Sequence, residues 1–130
     1  MRDQLRHIYP SITDDDFDVQ DDGAGPVIKR WSYAQPQPTQ AELDAAVLPA
    51  AKAKRIVAIN AECRARLIAR FGPAEEQVSR SIGVYGAQAQ SDMQAGIAAT
   101  IDASNVAQNA ILAAADIAAV EAVTVTWPVI

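Results

Sequence analysis

The segment from Thr39 to Gly72 has the best-marked ends in the chain. Thr39-Gln-Ala-Glu42 is a Thr-x-x-Glu capping box: the hydroxyl can accept from the first turn while the carboxylate reaches back to the cap amide. Phe71-Gly72-Pro73 is a matching stop, because glycine tolerates the left-handed cap and proline cannot continue the ladder. Between them, Ile56, Ile59, Cys63, Leu67 and Phe71 recur at spacings of three and four, one narrow apolar face of a helix. That width suits helix–helix packing. Pro49 interrupts the earlier part of the pattern and predicts a kink or a restart. A long helix over these residues divides the rest into a polar, β-like region before it and an Ala-rich helical region after it.

Before the helix, Ile8-Tyr9-Pro10 and Ile12 read as an extended lead-in. Asp16 to Gln20 alternates polar and apolar residues, the period of a half-buried strand. Asp21-Asp22-Gly23-Ala24-Gly25-Pro26 is a concentrated turn. Val27 to Tyr33 returns as a second strand, with Val27, Lys29, Trp31 and Tyr33 on one face. An isolated hairpin is marginal in water, so Phe17 and Trp31 are its expected anchors. Pro36 and Pro38 favour an extended spacer before the helix cap.

After the helix, Pro73 and two glutamates open another, and Val78, Ile82, Tyr85, Ala89, Met93, Ile97 and Ile101 form its apolar face. Gly83, Gly86 and Gly96 weaken it; either close helix approach or a break near Gly83–Gly86 accounts for them. Asp102 to Asn105 offers a cap or a break before a further helix through Val106, Ile111, Leu112 and Ala115. Asp116 to Val123 reads as a short final helix. Val123 to Ile130 switches to β-branched alternation. It is a terminal strand or a tail, and as a strand it would bring Trp127 beside Trp31 at one β-rich end.

The fold class is therefore α+β and mostly α. A small N-terminal β-hairpin, with or without a C-terminal strand, is attached to long Ala-rich helices that pack as a bundle or coiled coil. The regions are 1–38, 39–122 and 123–130. Half the residues are apolar, but many are alanine, which buries little area. A lone monomer would be marginal, and self-association is the expected remedy.

Charge and motif content narrow the function. The net charge is −5, which disfavours nucleic acid. The one basic stretch is residues 39–73, whose bases read as a solvated or ion-paired face. No run of about 18 uncharged apolar residues predicts a membrane span. Cys63 is the only cysteine; it sits on the helix stripe as a small buried hydrophobe, without a base to make it a nucleophile. His7 is the only histidine and reads as a surface residue. Asp14, Asp15, Asp16, Asp18, Asp21 and Asp22 are oxygen-rich enough for Ca²⁺. Their spacing fails the EF-hand pattern, however, with Gln20 and Val27 at the fifth and twelfth positions from Asp16, and turn chemistry explains them more simply. No catalytic, cofactor-binding or metal-ligating set is expected, so the chain is not read as an enzyme.

Ile8-Tyr9-Pro10, Asp16-Phe17, Val19 to Gly23, Gly25 to Ile28, Trp31, Pro36 to Thr39 and Glu42-Leu43 together resemble the XkdW-like proteins of phages and prophages, encoded beside tail-fibre genes. The second half is similar to a domain of unknown function found toward the C-termini of phage tail proteins: Ala58 to Arg64 resembles its opening helix, and Ile117 to Val123 with Thr126-Trp127-Pro128 its ending. The resemblances imply a virion protein of the tail fibre or baseplate, made in the host cytoplasm, with itself (as a homotrimer) and tail proteins as partners. The helix stripe would be the seam between copies, and Ile59→Asp would break the assembly. A fibre-assembly chaperone and an acidic modulator of a host protein are the alternatives.

Overall fold

The structure, a computed structural model, describes residues 1–130. The elements run α1 (Arg2–Ile8), β1 (Phe17–Asp21), β2 (Pro26–Trp31), α2 (Gln40–Phe71), α3 (Ala74–Ser81), α4 (Ala87–Ala113) and α5 (Ile117–Ala122). The class is α+β and mostly α: 62% of residues are helical and the only sheet is a two-stranded hairpin. The chain forms two compact units, Met1–Lys54 and Arg55–Ile130. The division falls inside α2 and not at residue 38, because Leu43 belongs to the N-terminal core.

The N-terminal unit closes around Leu5, Ile12, Phe17 and Leu43, with Met1, Ile8, Tyr9, Val19, Ile28, Trp31 and Tyr33 packed against them. The start of the chain is helical, which corrects the extended lead-in. A helix of seven residues is too short to stand alone. It forms because Leu5 is fully buried, and because Asp3 near its start and Arg6 and His7 near its end suit the dipole. The hairpin is antiparallel and carries a bulge. Asp18 pairs with Arg30 and Val19 with Ile28, so Lys29 is the extra residue. The bulge shifts the side-chain phase of β2. Ile28 and Trp31 therefore face the core while Val27 and Lys29 face solvent, contrary to strict alternation. At the tip, the Asp21 carboxylate accepts from the Gly23 and Gly25 amides at 2.9 and 3.1 Å. Both glycines have positive φ, which glycine adopts without strain.

The capping box forms in full. The Thr39 amide donates to Glu42 at 2.7 Å, and the Glu42 amide donates to the Thr39 hydroxyl at 3.3 Å. The helix does not restart at Pro49. Proline removes one donor to the carbonyl of Ala45, and both residues lie on the exposed side, where solvent replaces that bond. Gly72, at φ 82°, ends the helix, its amide donating to the Ile68 carbonyl.

In the C-terminal unit, the second half of α2 packs antiparallel to α4. Asn60 meets Gln108, Cys63 meets Thr100 and Phe71 meets Gly96, one number rising as the other falls. Met93, Gly96, Thr100, Ser104, Ala107 and Ile111 are the buried stripe of α4. The apolar face expected for residues 78–101 is broken. Gly83 and Gly86, at φ 82° and 91°, turn the chain between α3 and α4 and leave Val78, Ile82 and Tyr85 exposed. Gly96 instead marks a close approach, since a Cβ there would lie 2.6 Å from the tip of the Phe71 ring. No break occurs at Asp102–Asn105. Ser104 is buried, and its hydroxyl accepts from Gln108 at 2.9 Å instead of capping a new helix. Asp116 caps α5 by accepting from the Ala119 amide at 2.7 Å. The terminal strand does not form: the sheet has two strands only, and residues 123–130 join neither.

Candidate interaction surfaces

Tyr9, Trp31 and Tyr33 gather at one side of the N-terminal core with ring centroids 5.3 to 6.1 Å apart. Their polar atoms hold the proline-containing segment. The Trp31 indole N–H donates to the Gln35 carbonyl and the Tyr9 hydroxyl to the Pro36 carbonyl, each at 2.8 Å. An aromatic surface with donors at its edge is the chemistry that recognises extended proline segments. Here the ligand is the chain's own residues 35–36, so the segment is a clamped strap and not a free spacer. Phe17 is 1% exposed, and Trp31 packs against the same core.

The aspartates of residues 14–22 are engaged in local structure. Asp14 accepts from Arg2 and Arg6, Asp21 caps the hairpin turn, and Asp22 lies 3.7 Å from Lys29. Asp16 accepts from both the amide and the hydroxyl of Thr13 at 2.8 Å, bonds that hold its carboxyl below the usual aspartate range. These bonds order the loop leading into β1. His7 is exposed near the end of α1. Lys54 pairs with Asp3 at 2.8 Å, which depresses the pKa of that carboxyl too.

In the C-terminal unit, the stripe Ile56, Ile59, Cys63, Leu67 and Phe71 packs within the chain. Ile59 is 1% and Phe71 3% exposed in a single copy. The Cys63 thiol is buried, its sulfur 3.9 Å from the Thr100 carbonyl. Within one copy, α4 meets this stripe with small residues. Large residues of α2 thus pack against the small residues Gly96, Thr100, Ser104 and Ala107 of α4, large against small across the interface.

The two sides of this helix pair differ. On one side runs the C-terminal tail. Arg55 donates to the Val123 carbonyl at 3.0 Å, and the Arg66 guanidinium lies 4.9 Å from the centre of the Trp127 ring. Trp127 is thus an anchor on α2, not part of a β-rich end. On the other side, marked by the Asn60–Gln108 bond, Val57 and Ile68 of α2 and Ile101 and Leu112 of α4 are left outside the packed faces. Those four are 67%, 44%, 43% and 60% exposed. Large apolar side chains left outside in this way are the material of interaction surfaces. Sequence periodicity flagged the buried stripe and missed these side chains, although Val57, Ala61, Arg64 and Ile68 repeat at spacings of four, three and four.

No helix is long and apolar enough to cross a membrane. No curated protein and no solved structure matches the chain. A model of the XkdW protein family matches residues 1–55, which coincides to within one residue with the compact unit Met1–Lys54. The helix, hairpin and capped start of α2 that make up this unit are the part of the chain that is similar to XkdW, a phage-associated family.

Proposed function

We propose that the chain is a structural component of a phage tail, at the fibre or the baseplate, which joins parts by binding and not by catalysis. The observation that carries this reading is the coincidence of the XkdW match with a self-contained unit, followed by a separate helical unit that exposes large apolar residues. One unit would dock on the particle and the other would assemble. On this reading, Ala58 to Arg64 and Ile117 to Val123 with Thr126-Trp127-Pro128 would be the parts that resemble a domain of phage tail proteins. Self-association would use Val57, Ile68, Ile101 and Leu112, since the Ile59–Phe71 stripe is already covered, and a trimer would match the symmetry of trimeric fibres.

Quantitative mass spectrometry of gradient-purified particles tests this. Presence in fixed ratio to tail proteins, in multiples of three, is the expected result. Absence from particles with abundance in the infected-cell lysate would overturn it in favour of an assembly chaperone or a host-directed binder.

A further inference from the structure

Residues 123–128 belong to no helix or sheet, yet their burial alternates as a strand's does. Val123, Val125 and Trp127 are half-buried and Thr124 and Thr126 exposed, the alternation of a strand lying on a surface. The surface is helical. The amide of Val123 donates to Val120 and its carbonyl accepts from Arg55. From Thr124 to Ile130, no backbone amide or carbonyl has a protein partner. The segment is nonetheless fixed in place by Arg55 at its start and by Arg66 against Trp127, and the Ile130 side chain lies against Gly96. A fixed segment with free backbone groups is a template for another strand.

Beside it lies a groove of about 410 Å³. Its wall is Thr124, Thr126, Trp127 and Pro128; its floor is the α4 shelf of Ala99, Ala103, Val106 and Ala107. Alanines keep the floor low, and Val106 is 63% exposed on it. At about 3.3 Å per residue, the wall is long enough to pair four or five residues. Asp102 stands at the rim, without a hydrogen bond or an ion pair. Residues 87–130 contain four acids (Asp92, Asp102, Asp116 and Glu121) and no lysine or arginine.

We propose that this groove accepts an extended, basic segment of another protein, which adds to residues 124–127 as a β-strand. Backbone pairing supplies the attraction common to strand addition. Alternate apolar side chains of the guest cover Val106 and the alanines, and a lysine or arginine reaches Asp102. A second copy of this chain is a poorer guest: its residues 87–130 would bring the same acidic surface against this one, and the bases of its extended β2 are already engaged, Lys29 with Asp22 and Arg30 with the Asp15 carbonyl. The proposal does not depend on the phage reading.

The test uses the full chain carrying Trp31→Phe, so that Trp127 reports alone. The probe is an end-blocked synthetic peptide, Thr-Val-Lys-Val-Thr-Val-Lys. Saturable binding that shifts Trp127 emission is expected. N-methylation of alternate peptide amides, which removes the donors, should weaken binding about tenfold or more, roughly the loss of one or two net hydrogen bonds. Ala99→Leu fills the floor from an exposed position and should weaken it similarly. Asp102→Lys should reverse preference toward the same peptide with Glu in place of Lys; circular dichroism confirms that both variants fold. No binding at millimolar peptide, equal binding of the N-methylated peptide, or unaltered binding by folded Ala99→Leu would each overturn the proposal. So would self-association of the chain that Ala99→Leu abolishes, which would give the groove to a second copy.

Discussion

Residues 1–54 close around large side chains and directed bonds, whereas residues 55–130 close around small ones. In the first unit, Phe17, Leu5 and Leu43 fill the core, and hydrogen bonds fix nearly every turn: Asp16 on Thr13, Asp21 on the hairpin tip, Trp31 and Tyr9 on the strap, Glu42 on Thr39. In the second, Ile59 and Phe71 meet Gly96, Thr100, Ser104 and Ala107, and many large residues stay outside: Val57, Ile82, Val84, Val106 and Leu112 among them. The first unit satisfies itself. The second leaves large apolar side chains exposed and, at residues 124–130, backbone groups without partners, which are the surfaces the two proposals above would cover.

The sharpest way to break this contrast is a charge in the second core. Ile59→Asp puts a carboxylate where 1% of the side chain is exposed, with no base among the small residues facing it. A loss of about 4 kcal/mol or more is expected, enough to unfold a unit of ordinary stability. Trp127 fluorescence, read with Trp31→Phe, should show it unfolded in buffer, while Trp31, read with Trp127→Phe, still reports a cooperative transition. Joint loss of both signals would mean that the two units fold only together. The reciprocal change, Phe17→Ala, removes the ring at the centre of the first core and should cost about 3–5 kcal/mol there, with the reporters exchanging roles.

A smaller effect isolates what small residues do. Gly96→Ala gains up to about 1 kcal/mol of helix propensity. Its new methyl, however, meets the buried Phe71 ring at 2.6 Å, and overpacking costs about 1–3 kcal/mol. Because the ring is only 3% exposed and moving it would give up its packing, the clash should win and lower the thermal midpoint of the second unit. With Phe71→Leu in the background, the same substitution should become neutral or stabilising. Equal effects in both backgrounds would show that the helices do not meet at this point.

What was legible in the sequence tracks how local the cause is. The α2 boundaries, the capping box, the hairpin turn and the short final helix after Asp116 are each set by residues within a few positions, and each forms where the sequence places it. The stripe from Ile59 to Phe71 was legible as a packing face. Its partner was not, because Gly96, Thr100, Ser104 and Ala107 carry little hydrophobic signal and reveal themselves only when a large ring sits against them. Helix α1 was missed for want of a cap, although Met1, Leu5 and Ile8 have helical spacing. The bulge at Lys29 has no signature in composition, yet it decides which side of β2 is buried. The terminal β-branched run reads as a strand or a tail, and it joins no sheet. Propensity sets the backbone conformation, but the absence of a neighbouring edge is a tertiary fact.

Acid should separate the units by the mildest means. Glu42 accepts from the amide and the hydroxyl of Thr39 at 2.7 and 2.9 Å, and those bonds hold its carboxyl below the usual glutamate range. Asp16 is lowered by the Thr13 amide and hydroxyl, and Asp3 chiefly by its bond to Lys54. All three lie in the first unit. A carboxyl with a depressed folded value binds protons more readily once unfolded, so its contribution is present at neutral pH. It begins to fade as pH falls through about 4.3 to 3.9, where the unfolded carboxyls titrate, and is gone below the folded values. Chemical denaturation followed at Trp31 should therefore give a midpoint that is flat above this range and declines below it. Glu42→Gln keeps an acceptor facing Thr39 but removes the titration, so its decline should be shallower and its neutral-pH midpoint modestly lower. If wild type and Glu42→Gln decline in parallel, the charge on Glu42 is not what the cap depends on, and the bond to Thr39 serves through geometry alone.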